Sequence, residues 1–492
     1  MEKRELTFEP ETLSLLARIY GFLREKGIDA YIVGGFIRDG LLGRQTADID
    51  IALDADAPGV APGLAAALGG KPVLLDDTNR ISRIVLPDIE LDFTTLAGSL
   101  HEDLAARDFT IDALALPLTD NPEALHAREI IDPFDGRRDL EEGIIRAVSP
   151  SAFTADPARL LRAVRLASEL DFRIDAETES FIRRDAGLIR DVAGERVRDE
   201  LLRLLALPES GQTLSYLDEL GLLTAIIPEL EPARGVDQPT VHHWDVFTHS
   251  LKTVAAADFL LRQGEWEDNP RDVLDTVPWS EELAQHFREE VSHGSTRSSL
   301  LKLAALLHDI AKPRTKTMED GRARFLGHPQ EGALLVSGIM ERLRFTKKES
   351  KAVDLMIQYH LRPQQMSHEG LPTGRAIYRY FRDTGETGID ILFLSMADHL
   401  ATRGPELDGQ QWQGHGALLA YVLAEHRRGQ ETVAPAQIID GNDLMEEFSL
   451  HPGPEIGRLL EAVREALSAG EISNREEAID YVRKLLRKDD EK

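Results

Sequence analysis

The sequence predicts an α+β protein of several domains, in which a small mixed-sheet domain is followed by helical ones. The chain has 492 residues, enough for roughly three domains. Short β-rich or alternating runs occur up to about residue 145, whereas apolar residues at helical spacing dominate after residue 155. Breaks rich in Pro, Gly or Gln at 228–239 and 403–416 divide the helical part. We therefore expect four regions, at 1–145, 146–235, 236–405 and 406–492.

The composition excludes several classes of protein. The net charge of −29 argues against a protein that coats DNA or an anionic membrane with its whole surface. The chain has no cysteine, which excludes disulfides, thiolate catalysis, zinc fingers and iron–sulfur clusters, so any metal must sit on His, Asp or Glu. It begins without an apolar leader and has no apolar run of about 18 residues. We expect a cytoplasmic protein without DNA or membrane partners.

The elements of the first region can be predicted in order. Apolar residues at helical spacing predict a helix over 12–26. A β-rich run predicts a strand over 30–33, and the alternation of polar and apolar residues predicts a second strand over 48–53. Two further runs, 82–86 and 89–93, predict a β-hairpin.

Two carboxylates share one face of the second predicted strand. Residues i and i+2 of a strand point the same way, so Asp48 and Asp50 lie side by side. Such a pair can hold two divalent cations that activate an attacking hydroxyl and clamp a triphosphate. Gly34 and Gly35, after the preceding strand, let the backbone approach a phosphate closely. The order of glycines, Arg38 and acidic strand favours a nucleotidyl-transfer site over a solvated strand edge.

Five motifs resemble the class II tRNA nucleotidyltransferase and bacterial poly(A) polymerase superfamily. They occur in order at 33–43 with 48–50, 103–113, 131–136, 156–165 and 195–201. The resemblance implies a polymerase-β-like nucleotidyltransferase head over 1–145, a helical neck over 146–235, and two Mg²⁺ ions held by Asp48 and Asp50. It implies nucleotide binding by Gly34, Gly35, Arg38, Arg107, Asp156, Arg159, Arg162 and Arg165. The implied reaction adds C and A from CTP and ATP to the 3′ end of tRNA without a template.

Base choice is expected to depend on Asp156 and Arg159, which are three residues apart and predicted to share one helix face. A carboxylate only accepts hydrogen bonds, and a guanidinium only donates them. Cytosine and adenine both offer an amine beside a ring acceptor, whereas uracil and guanine reverse that pattern. The pair therefore predicts use of CTP and ATP. The chain departs from the family pattern nearby, with Asp112 in place of Asn and Ala155 in place of Glu.

A second constellation lies in the third region. A His, then a His-Asp doublet, two more His and a final Asp, each on or next to a predicted helix, resemble the HD phosphohydrolase superfamily. The resemblance implies a divalent metal of open identity on His249, His308, Asp309 and Asp398. It implies that His328 and His360 bind a second metal or orient phosphate. A metal-bound water could then attack a phosphoester. The resemblance implies phosphodiesterase or phosphatase action on nucleotide or RNA-end phosphates, and the individual substrate is left open.

The tRNA partner is expected to contact the last predicted helix, because that helix carries a stripe of basic side chains. The stripe comprises Arg483, Lys484, Arg487 and Lys488. Segments 438–445 and 452–457 resemble the C-terminal half of HD-bearing family members. Because aromatic residues make up 6% of the chain, recognition of tRNA shape and backbone fits better than an extended base-stacking platform.

Several alternatives stay open. The enzyme adds C-C-A, only C-C, or only A; no residue separates these. A poly(A) polymerase would more often carry a strongly basic C-terminal region. A protein uridylyltransferase conflicts with the Asp156 and Arg159 pair, and a non-enzymatic RNA-end binding module conflicts with intact Asp48 and Asp50. Asp92 is either a third carboxylate of the first site or a structural one.

Overall fold

The structure of the protein, a computed structural model, describes residues 9–46, 48–87, 89–119, 129–239, 242–266, 273–367, 370–432 and 438–490. The chain divides into two compact units, one of residues 1–192 with 217–226 and one of 193–216 with 227–492. The expected α+β class is confirmed, with a mixed sheet in the first unit and helices throughout the second. Among the described residues, no helix is both long and apolar enough to span a membrane.

The first unit contains the sheet and the helices around it. Its strands are β1 (Ala30–Val33), β2 (Asp48–Leu53), β3 (Lys71–Asp76), β4 (Ile81–Val85), β5 (Glu90–Thr95), β6 (Ala115–Pro117), β7 (Ile144–Ile145) and β8 (Arg173–Ile174). Its helices are α1 (Pro10–Glu25), α2 (Gly35–Leu42), α3 (Ala57–Leu68), α4 (Leu100–Ala105), α5 (Gly136–Glu142), α6 (Ala152–Ala155), α7 (Arg159–Leu170), α8 (Ala176–Asp185) and α11 (Leu223–Ile226). The predicted strands β1 and β2 are confirmed to the residue.

Six strands form the sheet, in the order β3-β4-β5-β2-β1-β6. β2 and β5 are parallel neighbours, and the remaining pairs are antiparallel. Ile49 and Ile51 of β2 are buried, so the alternating Asp48 and Asp50 lie on the other face. The register places Asp92 of β5 directly beside Asp50. The predicted hairpin is β4–β5, and part of its turn, Asp88, falls outside the described residues.

The second unit is helical with four short strands. Its helices are α9 (Gly194–Ala206), α12 (Val246–Leu260), α13 (Glu281–Arg288), α14 (Arg297–Leu307), α15 (Lys312–Thr315), α16 (His328–Arg342), α17 (Lys347–Tyr359), α18 (Arg362–Met366), α19 (Gly374–Thr384), α20 (Thr387–Arg403), α21 (Gly409–Thr432), α22 (Gly441–Phe448), α23 (Pro454–Ser468) and α24 (Arg475–Asp490). Its strands are β9 (Glu290–Ser292), β10 (Ser295–Thr296), β11 (Thr317–Glu319) and β12 (Arg322–Arg324). α10 (Ser210–Glu219) crosses the boundary between the units.

The break predicted at 403–416 is wrong for most of these residues, which are helical. α20 continues to Arg403, and α21 already begins at Gly409. Asp408 caps the N-terminus of α21. Its carboxylate accepts hydrogen bonds from the backbone amides of Gln410 and Gln411 in the first turn. Trp412 is buried and donates its indole N–H to the carbonyl of Val273, so tertiary packing fixes a segment whose composition is typical of a loop.

A buried ion pair on the central helices of the second unit forms hydrogen bonds with the end of α9 and the start of α10. Lys302 of α14 is fully buried, and its Nζ lies 2.7 Å from Asp258 Oδ1 on α12. The same ammonium donates to the carbonyl of Leu207 at the end of α9. Asp258 also accepts from the backbone amide of Gly211, at the start of α10. Residues 193–216 are thus tied into the core of α12, α14, α17 and α20 by charge as well as by packing.

Candidate active sites

The turn from β1 to α2 brings three predicted residues of the first site together. Gly34 has φ +76°, a backbone conformation that favours glycine. A Cβ added to Gly34 would lie 2.6 Å from Arg107 Nη1 and 3.3 Å from Asp50 Oδ2. A side chain at this position would displace Arg107, so glycine allows the guanidinium and the carboxylate to lie against the backbone of this turn, an arrangement that suits a phosphate with its bound cation.

Asp92 is held by a neighbouring arginine. Arg83 on β4 donates from Nε and Nη2 to the two carboxylate oxygens of Asp92, at 2.7 and 2.8 Å. A cation bound by Asp92 would compete with this bidentate pair. The contact favours the structural alternative for Asp92 and leaves Asp48 and Asp50 as the accessible pair of this face.

The electrostatics of Asp50 fit a metal ligand. The pKa of the Asp50 carboxyl is raised to about 6, chiefly by burial. The positive charge of Arg107 lowers this pKa, but the negative charge of Asp92 raises it and adds to the effect of burial. The positive charges of the protein near Asp50 are therefore too few to stabilise its ionised carboxylate fully. A divalent cation would supply the missing positive charge, so the donor set fits such an ion.

We expect the metal-free protein to gain stability from Asp50→Asn. The raised pKa means that the folded state holds this proton more tightly than the unfolded state, so stability falls as the pH rises from about 4 to 6 and the cost persists above that. The amide should raise the free energy of unfolding by up to about 3 kcal/mol near pH 7.5, and by nothing near pH 3.5. Denaturation in EDTA at both pH values measures it, with Asp77→Asn as the exposed control. An equal change at both pH values would contradict the assigned cause.

Three predicted arginines surround Asp112, one of the departures from the family pattern. Arg38 donates from Nη1 to Asp112 Oδ1 at 2.8 Å. Arg162 Nη2 lies 3.7 Å from Asp112 Oδ2, and Arg107 Nη1 donates to the backbone carbonyl of Asp112 at 3.5 Å. Asp112 is almost fully buried. An aspartate in this position partly balances the charge of three guanidiniums while no nucleotide is present.

The prediction that Asp156 and Arg159 share a helix face is wrong. α6 ends at Ala155, Asp156 is extended with φ −147° and ψ 99°, and α7 begins at Arg159. Pro157 explains the difference, because the residue before a proline is forced out of the helical region. The two side chains still lie near each other, with Arg159 Nε 4.0 Å from Asp156 Oδ2.

Arg159 is braced by backbone carbonyls. Its Nη2 donates to Ala106 at 2.9 Å and its Nη1 to Ala152 at 3.3 Å. Ala106 directly precedes Arg107, so the predicted base-reading and triphosphate-binding residues are connected through one contact. Arg165 lies deeper, where its guanidinium is buried and pairs with Glu169 of the same helix at 2.7 Å.

The six predicted residues of the HD constellation converge in the second unit. Their ligand atoms form two triads, each within 4.8 Å, which comprise His249, His308 and Asp398, and Asp309, His328 and His360. Asp309 connects the triads, because its Oδ2 lies 3.2 Å from His308 Nε2 and its Oδ1 lies 3.2 Å from His328 Nε2. One carboxylate thus faces both groups, as a bridging ligand between two metal ions does.

Backbone carbonyls orient three of these imidazoles. His308, His328 and His360 each contact, through Nδ1, the carbonyl three residues earlier, at 2.9, 2.7 and 2.7 Å. A proton on Nδ1 satisfies that contact and leaves the lone pair of Nε2 facing the cluster. This is the arrangement that metal-binding histidines require. The donor set of nitrogen and oxygen atoms fits a borderline or hard divalent metal.

The charges of the cluster also fit a cation. Burial lowers the pKa of His308, but the carboxylates of Asp309 and Asp398 outweigh it and raise that pKa to about 10. Burial opposes ionisation of Asp309, yet His308 and Lys312 hold its pKa well below the usual range. Burial, with the charge of His308, lowers the pKa of His360 to about 3. A metal ion would replace the proton on His308.

Lys312 was missed by the sequence analysis. Its Nζ lies 2.5 Å from Asp309 Oδ2 and donates to Gln238 Oε1 at 2.6 Å. The signal was its spacing, three residues after Asp309, which a turn between α14 and α15 brings to the same side as Asp309. Lys312 supplies a fixed positive charge beside the cluster, where a substrate phosphate would approach.

The basic stripe of α24 is divided. Arg483 pairs within the protein, with Asp480 at 2.5 Å and Glu447 at 3.0 Å. Lys484 and Arg487 are exposed, and the side chain of Lys488 lies outside the described part of the chain. Arg483 would have to exchange its carboxylate partners for an RNA phosphate, whereas Lys484 and Arg487 are already accessible.

Comparisons with known families cover most of the chain. Residues 30–95 and 71–146 match the family model "Poly A polymerase head domain", and 171–234 match "Probable RNA and SrmB- binding site of polymerase A". Residues 246–403 match "HD domain", and 433–482 match a model for domain 2 of tRNA nucleotidyltransferases.

Full-length relatives and solved structures agree with these matches. The chain is 32% identical to the A-adding tRNA nucleotidyltransferase of Deinococcus radiodurans, over 92% of this chain and 95% of the relative. It is also 32% identical to the CC-adding tRNA nucleotidyltransferase of Geobacter sulfurreducens, over 98% of each. The Thermotoga maritima CCA-adding enzyme complexed with tRNA-CCA shares the fold, with a TM-score of 0.62, 21% identity and 97% and 96% coverage. The chain therefore belongs to the class II tRNA nucleotidyltransferase (CCA-adding enzyme) family, with an HD domain.

Proposed function

We propose that the first unit adds nucleotides from CTP and ATP to the 3′ end of tRNA. The observation that carries this proposal is that Arg107 and Asp50 converge on the backbone of Gly34. Relatives with the printed activities "A-adding" and "CC-adding" on tRNA support the same substrate over a poly(A) tail. The partners are the tRNA 3′ end, CTP and ATP.

The reaction assigns a role to each residue of the site. The 3′ hydroxyl of the tRNA forms a bond to the α-phosphorus, and pyrophosphate leaves. Divalent cations bound at Asp48 and Asp50 would supply activation of that hydroxyl and neutralise the triphosphate charge. Arg107 would bind triphosphate oxygens, with Arg38 and Arg162 beside it. Asp156 would accept a hydrogen bond from the exocyclic amine, and Arg159 would donate to the adjacent ring acceptor.

The number of nucleotides added can be measured directly. The protein is incubated with tRNAs that end before, within and after C-C, each with one labelled nucleotide. A C-C-A enzyme extends all incomplete ends, a C-C enzyme stops before A, and an A-adding enzyme requires C-C. Failure to extend any of these ends, with homopolymeric addition of A to other RNAs, would favour a poly(A) polymerase instead.

We expect Asp156→Ala to weaken base discrimination. The change removes the acceptor that distinguishes an amine from a carbonyl, while the triphosphate and metal ligands remain. A hydrogen bond to a charged group contributes roughly 1.5–3 kcal/mol, so the preference for CTP and ATP over UTP should fall by about one to two orders of magnitude. Incorporation of four labelled nucleotides onto a tRNA without its end measures it. An unchanged preference in the variant would mean that the base is read elsewhere.

We also propose that the HD domain hydrolyses phosphoesters. The two triads that share Asp309 support a site for two divalent metals, with His249, His308, Asp309 and Asp398 at one and His328 and His360 at the other. When bound, the metals would supply a water of lowered pKa that attacks phosphorus. Hydrolysis is tested with several divalent metals against cyclic phosphates and nucleotides, and the absence of turnover under all of them would refute it.

The four regions and the RNA contact remain part of the proposal. We assign 1–145 to a nucleotidyltransferase head, 146–235 to a neck, 236–405 to the HD domain and 406–492 to RNA binding. The buried cluster of α22, α23 and α24 supports a separate C-terminal core. The exposed cations Lys484 and Arg487 support tRNA binding on α24, with Arg483 and Lys488 as further candidates. Footprinting of tRNA on the protein, with and without Lys484→Glu and Arg487→Glu, tests this contact.

A further inference from the structure

The three arginines that would surround the triphosphate each have a carboxylate partner in the nucleotide-free protein. The nitrogen–oxygen distances are 3.0, 3.6 and 2.9 Å in the pairs Arg38–Asp39, Arg107–Asp103 and Arg162–Asp108. Phosphate and carboxylate oxygens compete for the same guanidinium donors, because both are anionic acceptors. The affinity for a triphosphate therefore depends on how firmly the protein holds each arginine while the site is empty.

Asp112 contacts two of these arginines through different oxygens. Its Oδ1 accepts a hydrogen bond from Arg38 Nη1 at 2.8 Å, and its Oδ2 lies 3.7 Å from Arg162 Nη2. Asp112 ends the short 3-10 turn Thr110–Asp112 and is 2% exposed. Burial raises the pKa of Asp112, and Arg38, followed by Arg162, opposes this effect. The ionised carboxylate therefore depends on these guanidiniums and attracts them in return.

The two arginines differ in how strongly the protein fixes them. Arg38 donates to both oxygens of Asp39 as well as to Asp112, and its side chain is 11% exposed. The side chain of Arg162 is 42% exposed, and its distance to Asp112 is too long for a hydrogen bond. Asp112 Oδ2 is buried without a hydrogen-bond partner among the described residues. Arg162 is therefore the arginine of this pair that can exchange Asp112 for an external phosphate.

The departure from the family pattern at this position changes charge more than shape. The family usually has Asn where this chain has Asp112. An amide would keep an oxygen for Arg38 but would turn a nitrogen donor toward Arg162, which itself only donates. The aspartate thus adds one negative charge beside Arg162 and leaves the contact to Arg38 in place. A buried charge acts strongly on its neighbours because water screens it little.

We propose that Asp112 is a positioning residue that weakens the binding of nucleoside triphosphates through Arg162. In the empty site, the charge of Asp112 draws the Arg162 guanidinium inward. In the occupied site, the guanidinium turns outward to the phosphates, and it returns to Asp112 when pyrophosphate leaves. The carboxylate therefore lowers the affinity for substrate and for pyrophosphate together. This inference rests on the proposed nucleotidyl transfer.

The first test measures nucleotide binding to full-length Asp112→Asn without RNA. Equilibrium dialysis with Mg²⁺ gives the Kd values of CTP, CDP and CMP. We expect the Kd of CTP to fall at least about fivefold, with a smaller change for CDP and almost none for CMP, because the effect of one removed charge grows with the charge of the ligand. A purely structural role would change all three alike. Asp77→Asn, an exposed change in the same unit, should alter none of them.

A double-mutant cycle tests whether Arg162 transmits the effect. In the Arg162→Gln background, Asp112→Asn should change the Kd of CTP by less than about twofold, because the two residues act as one pair. A gain in affinity that persists without Arg162 would overturn the role of this arginine. Equal affinities of the wild type and Asp112→Asn for CTP would overturn the proposal as a whole.

Addition to tRNA separates this inference from the transferase proposal. Inhibition of CTP addition by pyrophosphate should be stronger in Asp112→Asn by about the same factor as CTP binding. Nucleotide binding that responds to Asp112→Asn in a protein that extends no tRNA end would refute the transferase proposal and retain the positioning role. Extension of tRNA with unchanged affinities for CTP and pyrophosphate would overturn the positioning role and leave the transferase intact.

Discussion

Asp48→Ala and Asp50→Ala should each reduce nucleotide addition by at least about a thousandfold. Both carboxylates lie on one face of β2, and Asp50 also lies close to the backbone of Gly34, beside Arg107. Loss of either ligand would misplace a divalent cation that activates the attacking hydroxyl or neutralises the triphosphate. Single-turnover addition of labelled CTP or ATP to tRNA measures the effect. Affinity for tRNA should stay within a few-fold, because in the proposed site the carboxylates would bind the metal ions of the nucleotide and not the RNA.

Asp77→Ala provides the control for this experiment. Asp77 is an exposed carboxylate in the turn between β3 and β4, so its removal changes the charge of the same unit without touching the site. Addition at the wild-type rate by both site variants would refute the assignment of the first site. A parallel loss of tRNA affinity would instead assign these carboxylates to RNA positioning.

Asp309→Asn should abolish hydrolysis by the HD domain and empty both metal positions. Its two oxygens face different triads, so the substitution replaces one ligand oxygen with an amide nitrogen and removes the negative charge that both metal positions share. His360→Ala, by contrast, should empty only the second position. Metal content per chain, measured after dialysis, should fall from about two to zero and from about two to one, respectively. Hydrolysis should fall by more than about 100-fold in Asp309→Asn.

Nucleotide addition provides the internal control for these HD variants. Addition of CTP and ATP to tRNA should be unchanged in both, because the ligands of the two sites lie in separate units. Glu341→Gln, an exposed change on α16, should leave metal content and hydrolysis unchanged. Retention of both metals by Asp309→Asn would contradict the bridging role of this carboxylate.

Local sequence patterns predict the structure correctly where neighbouring residues in the sequence determine it. The strand β2 and the shared face of Asp48 and Asp50 follow from alternation alone. Family membership also followed from motifs, and the relatives confirm it. The three-residue spacing of Asp156 and Arg159 does not produce a shared helix face, because the residue before a proline is restricted to extended backbone.

Long-range contacts decide the remaining features. The succession of histidines and aspartates indicated a metal site, but the shared position of Asp309 depends on where α14, α16 and α17 end or begin. The first two turns of α21 were assigned to a break because the contact from Trp412 to Val273 joins distant segments. The hairpin of β11 and β12 was not predicted because strands of three residues carry almost no periodicity.

The charge pair of Lys302 and Asp258 has a consequence for separating the protein into working parts. A fragment that starts at residue 236 keeps both charges but loses the Leu207 carbonyl and the Gly211 amide that complete their hydrogen bonds. Each buried group left without its partner costs about 1–3 kcal/mol, more when it is charged. The helical HD region is therefore expected to fold alone only together with residues 193–216, so the module that can be transplanted intact is discontinuous in sequence.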